Sequence, residues 1–67
     1  MSMEIIDRDT GVVLVKGPVL YTPSKGDTVV LRDIRYIVNE LVYEFVELRA
    51  SKEASMIVRI YVIRIRS

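Results

Sequence analysis

The chain contains neither cysteine nor histidine, and those two gaps remove most of the chemistry that small domains carry. Without cysteine there is no disulfide framework to staple the fold. Without histidine beside it, a zinc site would have to be built from carboxylates alone. The remaining nucleophiles are serines and threonines, and no lysine or carboxylate stands in an identifiable pair with one of them. The sequence therefore predicts no catalytic residues, no metal ligands, no cofactor and no enzymatic activity. Tryptophan is absent, phenylalanine occurs once, and ten basic residues against nine acidic ones leave a net charge of +1. That balance lacks the broad basic field of a dedicated nucleic-acid binder. Long uncharged runs are missing too, because every apolar stretch is broken by Arg, Glu or Asn well before the roughly 18 residues a membrane span needs. A cytoplasmic protein with no leader and no membrane segment is the expectation.

What the chain does have is hydrophobicity, at 51% of 67 residues. A domain of this size buries only about 60% of the surface of its unfolded chain. Some of those apolar side chains must therefore lie on the surface unless a second chain covers them. The expectation is one small domain spanning residues 1–67 that associates with itself as a dimer or larger homo-oligomer.

Two apolar runs dominate, Arg35 to Leu48 and Met56 to Ile65, joined by the polar residues 49–55. The first run fits two periods. As a helix over residues 33–49, it would line Ile34, Ile37, Val38, Leu41, Val42, Phe45 and Leu48 along one stripe. As a strand, it is rich in the Ile, Val, Tyr and Phe that suit a pleated surface. The second run favours the strand. Pairing residues 41–47 antiparallel with 56–62 so that Glu44 faces Arg59 sets Leu41, Tyr43 and Phe45 opposite Val62, Ile60 and Val58 as a core face. Alternation slips once in each arm, around Asn39 and Glu40 and again at Ile63, which reads as a β-bulge or bend that curls a small sheet.

The preceding residues read as shorter strands. Met3 to Arg8 and Val12 to Lys16 flank the turn Asp9-Thr10-Gly11, with Gly17-Pro18 as a break. The same three letters occur in aspartic proteases, but here Arg8 precedes them and the chain leaves little room for a substrate cleft, so a hairpin turn is the reading adopted. The loop from Thr22 to Asp27 carries one glycine and opens a strand, Thr28 to Leu31, where a phosphate cradle would open a helix.

Charge is unevenly placed. Residues 1–33 and 34–55 each carry minus one, whereas residues 56–67 carry plus three through Arg59, Arg64 and Arg66. Those arginines either pair locally and blunt a strand edge or, with Tyr61 stacking on a base, form a face for single-stranded nucleic acid. A protein interface competes with that reading. Val42, Val46, Ile57 and Tyr61 surround the Glu44–Arg59 pair on the face opposite the core, an apolar patch around a charge pair. The tyrosines are expected to fill the core or an interface. Small-ligand sequestration between subunits is a third reading, although no residue selects a ligand.

From Pro23-Ser24-Lys25-Gly26-Asp27-Thr28-Val29, through Tyr36-Ile37-Val38 and Leu41, to a final apolar strand, the chain resembles small uncharacterised proteins of bacteriophages and prophages. Their pattern is P-x-x-G-D-x-V followed by Y-x-V-x-x-V. The resemblance implies an SH3-like β-barrel bent after Val38, no catalytic residues, and a role either as a virion part or as a factor that binds a host protein in the host cytoplasm. The acidic stretch from Glu40 to Glu53 departs most from that pattern. Together these readings predict an all-β fold, a five-stranded, strongly bent antiparallel sheet closing toward a small SH3-like barrel. Its strands are expected near 3–8, 12–16, 28–32, 35–48 and 56–66, with an α+β domain helical over 33–49 as the alternative.

Overall fold

The computed structural model describes residues 1–47 and 54–66. The polar link expected at 49–55, apart from Ala54 and Ser55, and the Leu48 end of the long strand lie outside the described residues. Five strands form one sheet: β1 (Ser2–Asp7), β2 (Val13–Pro18), β3 (Thr28–Leu31), β4 (Ile34–Glu47) and β5 (Ala54–Arg64). The expected all-β architecture is observed, and no described residue is helical. Its spatial order is β2-β1-β5-β4-β3, and the sheet curls strongly into a half-barrel. Among the described residues no helix is long and apolar enough to cross a membrane.

The helical alternative for residues 33–49 fails because the second apolar run gives the first one a partner. β4 and β5 pair antiparallel from Tyr36 with Arg64 to Glu47 with Ala54. The pairing skips Asn39, so the bulge sits where the broken alternation places it. In the last strand the change of phase is no bulge. Ile63 is half-buried on the face opposite Val62, so both faces are simply apolar there.

Four expectations are corrected. The sheet is mixed, not antiparallel throughout, because β1 runs parallel to β5 with Met3 beside Val58 and Ile5 beside Ile60. The hairpin register is displaced by two residues: Glu44 lies opposite Ile57 and Arg59 opposite Val42. A shift of two preserves which side chains share a face, so the apolar and charged faces survive while each cross-strand partner changes. The second strand continues through Gly17 and Pro18, since proline is tolerated on the outermost strand of a sheet. Finally, the core ends at Leu41. Tyr43 is 50% and Phe45 69% exposed, because β1 pairs with β5 only as far as Ile57 and no other described residue covers the hairpin beyond that point.

The core lies on the inner face of the curl, where Val58, Ile60, Val62 and Val38 are almost fully buried with Ile5 and Tyr36. A second bulge, between Ile5 and Ile6 against β2, was not visible in the sequence. The Asp9-Thr10-Gly11 segment is the turn between β1 and β2. The Asp7 carboxylate accepts the backbone N–H groups of Asp9 and Thr10, at 2.9 and 3.4 Å. Gly11 adopts a φ of 74°.

The β3–β4 connection is a two-residue turn in which Arg32 and Asp33 have φ of 51° and 65°. That left-handed pair suits the twist of a hairpin but costs a residue with a side chain roughly 1–2 kcal/mol. Replacing the pair with Asn-Gly (Arg32→Asn with Asp33→Gly) is expected to stabilise the fold by about 1 kcal/mol. The check is the urea midpoint followed by circular dichroism; a lower midpoint would show that the native pair makes contacts worth more than its backbone cost.

Candidate functional site

The interface residues named from the sequence come together on the outer face of the sheet. Strand alternation and the β4–β5 register set Val42 beside Arg59, Glu44 beside Ile57, and Glu40 beside Tyr61. Val42, Ile57, Arg59 and Tyr61 are half-buried, whereas Glu44 and Val46 are exposed. The parallel pairing of β1 brings Glu4 beside Arg59 and Ile6 beside Tyr61. Ile6 is buried to 8% exposure on this outer face, between Tyr61 and Val13, so the patch has a small apolar floor of its own.

Charge crosses this face as a chain. The Arg59 guanidinium donates to the Glu44 carboxylate, and its Nε lies 3.4 Å from Glu4 Oε1. Lys16 Nζ stands 3.9 Å from the other oxygen of Glu4. The expected Glu44–Arg59 ion pair thus forms, diagonally rather than directly across the strands. The hydrogen bond to Glu44 holds the Arg59 guanidinium above its usual pKa, with further help from the charges of Glu44 and Glu4. A second pair joins Arg8 to Glu40 at 2.7 Å, and the Arg8 guanidinium lies 5.5 Å from the centre of the Tyr61 ring, within cation–π reach. The sequence did not assign Glu4, Arg8, Lys16 and Glu40 to this face because β1 meets β5 across more than fifty residues of chain, and a non-local parallel pairing leaves no local signal.

The residues of the nucleic-acid reading are not gathered on one face. Arg59 and Tyr61 point outward, Arg59 already bracketed by two carboxylates, while Arg64 alternates onto the face of Val58, Ile60 and Val62. Arg66 lies beyond the end of β5.

The inner face of the curl holds a cavity of about 450 Å³ floored by Met3, Ile5 and Ile60 and walled by Tyr21, Pro23 and Asp27. Its carboxylate is committed to the loop, since Asp27 Oδ2 accepts the Ser24 N–H at 2.8 Å. Among the described residues no three carboxylates converge on a metal-sized site.

No family model, curated protein or solved structure matches the chain. What the surface does is therefore read from its own chemistry.

The outer face behaves first as a brace that ties β1, β5 and β4 together by charge. Arg59→Gln is expected to lower the urea midpoint, because Glu4 and Glu44 would then face each other without their shared cation. The loss should shrink in molar salt, where exposed charges are screened. A loss that does not change with salt would assign Arg59 a packing role instead.

Proposed function

We propose that the protein is a non-enzymatic interaction module that binds copies of itself. The observation that carries this reading is the outer half of the β4–β5 hairpin, a two-stranded ribbon that the other described residues leave uncovered on both faces. Tyr43 and Phe45 are exposed on one side and Val46 on the other. The molecule measures 49 × 21 × 18 Å, with a radius of gyration of 13.3 Å, against about 11 Å for a compact chain of this length. A two-stranded ribbon is at best marginally stable alone in water, and aromatic side chains held out in this way are enriched at interfaces. The splitting of the arginines between faces favours protein over nucleic acid as the partner.

Within this proposal the chain is a small SH3-like protein of phage type acting in the host cytoplasm, either as a virion part or as a binder of a host factor. The resemblance in residues 23–65 supports that setting, and the curled all-β sheet is compatible with it. Val42, Glu44, Val46, Ile57, Arg59 and Tyr61 form the outer side of the contact surface.

The test is mass in solution by sedimentation across a dilution series. An oligomer that dissociates on dilution is expected, and Val42→Glu or Ile57→Glu should abolish association while the far-UV spectrum stays that of a β protein. A monomer at every concentration that also retains no protein partner would overturn the reading.

A further inference from the structure

We propose that two copies join through the free edge of β4, antiparallel about a two-fold axis at Tyr43, to make one continuous ten-stranded sheet. The proposal rests on the interaction-module reading and names its partner, its edge and its register.

The edge is free over a definite span. β3 pairs with β4 only from Ile34 to Ile37, and the preceding loop extends that pairing by one residue, with the Val38 N–H donating to Asp27 O and its carbonyl accepting from the Gly26 N–H, both at 2.9 Å. Among the described residues nothing pairs with the outer side of β4 from Asn39 to Glu47.

Hydrogen-bond phase shows which residues offer backbone groups to that edge. The Val62 carbonyl accepts from the Arg8 N–H, so Val62, and by alternation Ile60 and Val58, turn toward β1. Tyr61, Arg59 and Ile57 then turn toward β4, where they meet Glu40, Val42 and Glu44. Leu41, Tyr43 and Phe45 are left with their N–H and C=O groups pointing away from β5 into solvent. Two of these residues, Tyr43 and Phe45, also carry exposed aromatic side chains, while Leu41 packs against the core.

Charge then selects the register. Centring the axis on Val42 would set Glu40 opposite the partner's Glu44, and centring it on Glu44 would set that residue against its own copy. Like charges directly opposite destabilise a strand pair. Centring on Tyr43 sets Glu40 opposite the partner's Val46 and Glu44 opposite the partner's Val42. On the other face Leu41 meets the partner's Phe45, and Tyr43 meets the partner's Tyr43. This register also uses the whole free span, pairing Asn39 with the partner's Glu47, and it places the two half-barrels at opposite ends of a four-stranded ribbon where they cannot collide. Moving the axis to Leu41 would run the partner into β3, and moving it to Phe45 would leave Asn39 to Val42 unpaired.

The chain has no cysteine, so single cysteines report the register directly. In a hydrogen-bonded pair the two Cα atoms stand about 5.5 Å apart, within disulfide range. Mild oxidation of Tyr43→Cys is expected to give a covalent dimer. Leu41→Cys and Phe45→Cys should cross-link when mixed but not singly, since Leu41 and its own copy would lie roughly 14 Å apart along the strand. Tyr43→Pro, which removes an N–H the chain itself does not use, should weaken association at least tenfold with the far-UV spectrum unchanged. Val46→Lys, facing the partner's Glu40, should tighten the dimer about fivefold, and Val46→Glu should loosen it by a similar factor. A native dimer whose Tyr43→Cys form stays uncross-linked overturns the edge while leaving the interaction reading intact. So does a native monomer that retains a different protein. A monomer that retains nothing overturns both.

Discussion

β5 is the strand on which everything else depends. It is paired on both sides, with β1 parallel along one edge and β4 antiparallel along the other, and its alternate residues Val58, Ile60 and Val62 are the deepest part of the core. The described residues form one sheet and no second layer to lay over it. The core can be enclosed only by curling the sheet around its central strand, and the bulges at Asn39 and beside Ile5 supply the local bending that curling needs. The curl ends where β1 ends, and the β4–β5 hairpin then continues as a ribbon with no other described residue beneath it.

The outer face of the same strand is organised by charge. Arg59 sits between Glu4 and Glu44, and Arg8 spans from the end of β1 to Glu40 while resting over Tyr61. Exposed pairs of this kind contribute little stability individually. Together they tie β1, β5 and β4 to one another across the outer face. In the basic C-terminal segment Arg59 is thus bracketed by carboxylates, while Arg64 ends β5 and Arg66 lies beyond it.

Function and fold meet in the ribbon. Two of its exposed side chains, Tyr43 and Phe45, stand on residues whose backbone donors and acceptors also face away from β5. An edge with both is the kind that natural sheets ordinarily blunt with lysine, proline or a covering loop. None of those devices stands on β4 between Asn39 and Glu47; the charges there are glutamates, which bar some registers and permit one. The face chosen from sequence, around Val42 and Ile57, is the other side of this ribbon, so a single contact would bury part of both.

The sequence by itself favoured an all-β chain over one helical at 33–49 and located the strands to within a few residues. It also located the bulge at Asn39 and set which residues of the hairpin share a face. Each of these follows from alternation and turn chemistry, which are local. It also showed that hydrophobicity exceeds what a domain of this size can hide. Tertiary structure decided the rest. The parallel pairing of β1 with β5 joins the two ends of the chain, and that pairing alone brings Glu4 to Arg59 and buries Ile6. The register shift of two residues preserved every face and so could not be detected from patterning. Above all, Tyr43 and Phe45 read as core because they continue the apolar alternation of Leu41, but burial depends on what lies across from a side chain. With β1 ending opposite Ile57, none of the described residues lies across from them.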